Sequence, residues 1–125
     1  MLINILSVFI GGGIGSTLRY LISEFSQRSF GTSMWGTSMI NIVGCFAMGW
    51  MFQLLSTRVN IFPTHILVAI SVGLIGGFTT FSALNIEVME LIRSGKILYG
   101  ASYLILSMIL GLVCTILGYY IKSKI

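Results

Sequence analysis

Four long apolar runs, covering residues 2–22, 34–55, 64–92 and 97–121, alternate with short polar stretches along this chain. Each run has at least the roughly 20 residues that carry a helix across a bilayer. The pattern predicts an all-α membrane protein of one domain, residues 1–125, with four transmembrane helices. Residues 23–33 read as a polar loop with Glu24 and Arg28, and residues 56–64 as a second loop holding Arg58 and Pro63. Arg93-Ser94-Gly95-Lys96 reads as a tight third turn. Pro63 suits the entry to the third run, because the first helical positions need no amide donor.

The third run is too long for one straight crossing at about 1.5 Å per residue. A break in its middle reconciles the length. Gly73-Leu-Ile-Gly-Gly-Phe-Thr-Thr-Phe-Ser82 marks the place. Three glycines weaken a helix there, and two adjacent threonines offer hydroxyls that compete for backbone partners. Non-helical backbone is tolerated at membrane depth only where it faces protein or water. The stretch is therefore expected to line a buried, polar, ion-sized site.

Composition narrows the class. Only 8% of residues are charged and 56% are hydrophobic, too few charges to cover a soluble surface. The net charge of +4 comes from scattered Lys and Arg at the ends of the runs, where they set orientation, so no nucleic-acid binding is expected. Cys45 and Cys114 lie in apolar runs without metal-ligand neighbours, and His65 has no such partner either. No nucleophile–base pair is visible, so an enzyme is not expected. The opening Met1-Leu2-Ile3-Asn4 carries no basic region of the kind that starts a cleaved signal peptide.

A few polar residues stand out inside the runs. Asn41 lies among Met39, Ile40, Ile42 and Val43, with Thr37 one turn before it on the same face. It is either interhelical glue or a pore-lining ligand. Tyr103, Ser107, Gly111 and Thr115 recur every four residues and form one narrow stripe, either for packing or for a hydrogen-bonding track. Gly11 and Gly15 make a small-xxx-small pair for close helix approach. Arg19 either snorkels to the interface or draws anions at a vestibule. Glu87 and Glu90, one turn apart, read as a solvated helix end.

With four crossings, both termini share a side with the second loop. That side holds Arg58, Lys122 and Lys124; the other holds Arg28, Arg93 and Lys96, with Arg19 nearby. Orientation follows the Lys/Arg excess, and here there is almost none. The chain is expected to insert both ways round and to pair as an antiparallel, dual-topology homodimer, a two-chain version of an inverted repeat.

Three stretches together resemble the Fluc/CrcB fluoride channel family. They are Gly12-Gly-Ile-Gly-Ser-Thr-Leu-Arg-Tyr20, Gly36-Thr-Ser-Met-Ile-Asn-Ile-Val-Gly44, and Gly73 to Ser82 with Glu87 downstream. The resemblance runs in order along essentially the whole chain. It implies a plasma-membrane channel for passive fluoride export and fluoride resistance, with two pores per antiparallel dimer and a structural sodium ion at its centre. It places the backbone carbonyls of Gly76 and Thr79 on that sodium. Asn41 and Phe81 become pore residues, with Thr37 beside them. Ser82, Tyr103, Ser107 and Thr115 become polar-track residues, Glu87 an acid beside the track, and Arg19 a basic residue of the first span.

The sequence departs from the family's usual Thr-Thr-Phe-Ser-Thr-Phe: it reads Thr79-Thr-Phe-Ser-Ala-Leu84. Leu84 stands where a second pore phenylalanine is usual, and Gly111 where a serine is common. Leucine fills space without offering a positive ring edge to an anion. The chain would then conduct with altered throughput, or serve as one subunit of a heteromeric fluoride channel. A dual-topology small multidrug exporter is the competing class, but it needs a carboxylate near the middle of a span, and none lies in the first.

Overall fold

The computed structural model describes residues 1–57 and 62–121 of the chain. Arg58, Lys122 and Lys124, on which half of the charge comparison rests, lie outside the described residues. Helix α1 is Leu2–Phe30 and α2 is Met34–Thr57. The third crossing, Thr64–Arg93, is built from α3 (Thr64–Val68), a π-helical segment (Ala69–Ile75), α4 (Gly76–Phe78) and α5 (Phe81–Arg93). Helix α6, Ile97–Tyr120, completes the bundle. Among the described residues, four helices are long and apolar enough to span a membrane.

One boundary differs from the sequence expectation. Residues 23–30 are not a loop but the polar last turns of α1. Glu24 and Arg28 face each other at 2.8 Å, four residues apart, in the order that favours helix. The helix stops at Gly31, whose φ of 70° is the left-handed conformation of a C-cap, with its N–H on the Gln27 carbonyl. The connection to α2 is thereby only three residues, Gly31, Thr32 and Ser33.

The third crossing is broken, as its length requires, but not at its glycines. Thr79 (φ −72°, ψ 147°) and Thr80 (φ −146°, ψ 115°) are the extended residues, while Gly73, Gly76 and Gly77 stay helical. Gly73 and Gly77 serve approach instead of unwinding. A Cβ on Gly11 or Gly15 of α1 would run into the carbonyls of Ala69 and Leu74. One on Gly73 would meet the Val8 carbonyl at 2.9 Å. The backbones of α1 and the π-helical segment therefore touch directly, as small residues allow in lipid.

Helix α2 packs along α6 in the same way, with Gly49 against the Thr115 carbonyl and Gly118 against the Phe46 carbonyl. Among the described residues, Ile40 and Thr37 are the largest fully buried side chains. Most large apolar side chains point outward, as a helix bundle in hydrocarbon permits.

Candidate functional site

The break is clamped from α2. The Asn41 amide nitrogen donates to the Thr80 carbonyl at 2.9 Å, and the Thr80 N–H donates to Asn41 Oδ1 at 2.8 Å. One side chain thus supplies the backbone partners that the lost helical turn would have given. Such partners are needed, because an unpaired amide in a dry interior costs several kcal/mol. Thr80 then caps α5: its Oγ1 accepts from the Ala83 N–H at 3.3 Å. Both of Asn41's sequence readings bear on the observed geometry: the clamp uses one amide hydrogen and leaves the other, and the side chain is only half-buried.

These bonds redirect two donors. In an unbroken helix the N–H groups of Thr80 and Ala83 would pair with the carbonyls of Gly76 and Thr79. Here they go to Asn41 and to Thr80 Oγ1. The Gly76 and Thr79 carbonyls are released from the helical ladder as a result, the two oxygens that the resemblance assigns to a cation.

A second centre lies about two turns along α5. Glu87 is buried, 6% exposed, which corrects its reading as a solvated helix end; Glu90 remains exposed. Its Oε1 accepts from the Ser33 hydroxyl at 2.6 Å and from the Thr37 hydroxyl at 2.7 Å. Its Oε2 accepts from the Tyr103 hydroxyl at 2.7 Å. Three hydroxyls from three different segments converge on one carboxyl group. Ser33 was not singled out from the sequence. Its signal was present, since Ser33, Thr37 and Asn41 continue one four-residue spacing across the start of α2.

Two clefts join these centres. One, of about 490 Å³, runs between α2 and α6 past Trp35, Ser38, Asn41, Tyr103 and Ser107. The other, of about 590 Å³, holds Asn41, Thr79, Phe81, Leu84, Ser107 and Thr115 among its lining. They share Asn41 and Ser107. A third hollow of about 360 Å³ opens beside Ser33, Glu87 and Glu90 at the end of the bundle.

The structure therefore brings together Thr37, Asn41, Glu87, Tyr103, Ser107, Thr115, Phe81 and Leu84 along one side of α2 and α6. Ser82 Oγ lies 3.3 Å from Thr80 Oγ1 at the start of α5. Thr115 spends its hydroxyl on the Gly111 carbonyl of its own helix at 3.0 Å. Leu84 is turned inward, 4% exposed, while the Phe81 ring is 64% exposed. Arg19 stands apart: it is half-buried on α1 and lines none of the three clefts.

The family described as "CrcB-like protein, Camphor Resistance (CrcB)" matches residues 6–119. The fluoride-specific ion channel FluC of Chloroflexus aurantiacus is 39% identical over 116 residues, covering 92% of this chain and 91% of that protein. The protein of the same name from Phocaeicola vulgatus is 39% identical over 121 residues, 96% and 98% of the two chains. That from Aquifex aeolicus is 38% identical over 122 residues, 97% and 98%.

Proposed function

This chain belongs to the CrcB family, and from that membership and the site geometry we propose that it is a fluoride-selective channel for passive fluoride export across the cell membrane. One observation carries the reading beyond the relatives' names. A hydrophobic bundle gathers hydroxyl and amide groups in sequence: Ser33 and Thr37 bond Glu87, Glu87 bonds Tyr103, and Tyr103, Asn41 and Ser107 line two clefts that share Asn41 and Ser107. Fluoride is small, hard and strongly hydrated, so a selective path must replace its water with donors at close quarters.

In this reading Asn41 offers the amide hydrogen that Thr80 does not use. The exposed Phe81 ring turns its positive edge toward the anion. Glu87 holds the Ser33, Thr37 and Tyr103 hydroxyls with their hydrogens pointed inward, and each can turn to an arriving fluoride in exchange for the carboxylate. Ser107 extends the hydroxyl lining, Thr115 borders it with its hydroxyl bonded to the Gly111 carbonyl, and Ser82 stands beside it at the start of α5, against Thr80 Oγ1. Leu84 fills its side of the cleft without a polarised edge. Arg19, off the clefts, acts at long range by drawing anions toward the protein.

Two copies in antiparallel orientation complete the channel, with two pores. The broken third crossing supports this, because its released carbonyls need a partner that lipid cannot supply. The carbonyl oxygens of Gly76 and Thr79 suit a hard monovalent cation and would hold sodium at the axis with the same atoms of the second copy. Sodium would supply a fixed positive charge tying the two breaks together.

The test is fluoride efflux, followed with a fluoride electrode, from liposomes holding only this purified chain. Valinomycin-triggered release of fluoride but not chloride is the expected result. A folded dimer that releases neither would remove the self-sufficient channel and call for a partner subunit.

A further inference from the structure

Ser33 stands immediately before α2, in the position whose side chain usually caps a helix by accepting the N–H three residues on. That N–H belongs to Gly36. It does not go to Ser33. The Gly36 N–H donates instead to Ser26 Oγ, at 3.0 Å, from the last turns of α1. Ser26 in turn donates to the Thr32 carbonyl at 2.8 Å and is 3% exposed. The neighbouring Met34 N–H is taken by Thr32 Oγ1 at 3.2 Å. Ser33 is thereby relieved of capping, and its hydroxyl is the one that reaches Glu87.

The contact is built for this. A Cβ on Gly36 would lie 2.9 Å from Ser26 Cβ, 3.1 Å from the Ile22 carbonyl and 3.2 Å from Ser23 Cα, so only glycine lets α1 come this close. The polar extension of α1 carries Ser26 to that point, and the left-handed Gly31 turns the chain back over it.

We infer that Ser26 is a positioning residue of the anion path: it caps α2 from α1 so that Ser33 can donate to Glu87. Ser26 itself touches neither cleft. Without its oxygen, the Gly36 N–H is left to recruit Ser33 as an ordinary N-cap, which draws the Ser33 hydroxyl away from the carboxylate. The inference rests on the channel reading above, and its test separates the two.

The experiment is a double-mutant cycle on fluoride efflux in the reconstituted full chain, with Ser26→Ala, Ser33→Ala and the pair. Ser26→Ala is expected to slow efflux about fivefold, the weight of one hydrogen bond. The pair is expected to be no slower than Ser33→Ala alone, because both changes remove the same donor. Against Thr115→Ala, at the far end of the path, the Ser26 effect should multiply. Ser26→Ala with wild-type efflux, or with an effect that multiplies on top of Ser33→Ala, overturns the inference. Should Ser26→Ala fail to give a folded protein by gel filtration, Ser26→Cys replaces it in the same cycle, keeping the volume and weakening the acceptor. A silent wild-type chain would count against the channel reading itself.

Discussion

Asn41 and Thr80 are bonded to each other twice, amide nitrogen to carbonyl at 2.9 Å and backbone N–H to amide oxygen at 2.8 Å, although 39 residues separate them. The pair makes the break in the third crossing tolerable in an apolar surrounding. It also fixes the remaining Asn41 donor at the junction of the two clefts. Asn41→Asp keeps the acceptor for the Thr80 N–H but loses the donor to its carbonyl and adds a negative charge beside the path. Fluoride efflux should fall by at least about a hundredfold, since charges at contact distance in a protein interior repel by several kcal/mol. Efflux at the wild-type rate would take Asn41 out of the anion path. Asn41→Ala should instead lower stability by about 2–3 kcal/mol through the two unpaired backbone groups, read by thermal unfolding in detergent.

Glu87→Gln tests the second centre. The amide can still accept from Ser33 and Thr37 through its oxygen, but its other edge becomes a donor facing the Tyr103 hydroxyl. The fold should persist while efflux drops about tenfold, the cost of misaligning one strong hydrogen bond. Equal efflux in the two proteins would reduce Glu87 to a packing role.

Leu84→Phe restores the ring that the family usually has, into a site only 4% exposed. The added volume should cost about 1–3 kcal/mol of stability. Efflux should hold or rise, because a ring edge joins the Phe81 cleft. A folded protein whose efflux collapses would mean the cleft is shaped around leucine.

Gly15→Ala places a methyl group on the Leu74 carbonyl, with the Phe78 nitrogen 2.9 Å away. Backbone cannot step aside as a flexible side chain does, so α1 must withdraw from the third crossing. Loss of folded protein on gel filtration is expected, whereas Gly13→Ala, with open space at its Cβ, should behave as wild type. A monodisperse Gly15→Ala protein of normal melting temperature would contradict the direct backbone contact.

The proposed sodium site at the Gly76 and Thr79 carbonyls can be tested directly. If Gly76 and Thr79 hold the ion between two copies, exchanging sodium for a large organic cation during purification should lower the melting temperature and silence efflux together. Unchanged melting and efflux without sodium would leave those carbonyls to some other partner.

The membrane class, the crossings and the need for a break in the third all follow from hydropathy and length, which are local sums along the chain. The polar residues inside the runs were equally visible, because any hydroxyl or amide among Ile, Leu and Val is conspicuous. Local patterns failed where two influences competed. Residues 23–33 are polar enough for a loop, yet Ser23 to Phe30 stay helical because the Glu24–Arg28 pair and the Gly31 cap favour continuing the helix. The glycines of the third crossing have the lowest helix propensity there, yet they remain helical, and two of them, Gly73 and Gly77, lie directly against the α1 backbone.

Partnership was decided only in three dimensions. Glu87 reads as a solvated helix end until Ser33 and Thr37, 54 and 50 residues away, and Tyr103 from α6 are seen to close on it. Likewise, nothing near Ser26 in the chain marks it as the cap of another helix. Hydropathy places a residue in or out of the membrane, since burial in lipid depends on its own side chain. A hydrogen bond depends on two groups meeting within about 3 Å, and that distance is set by how the helices pack.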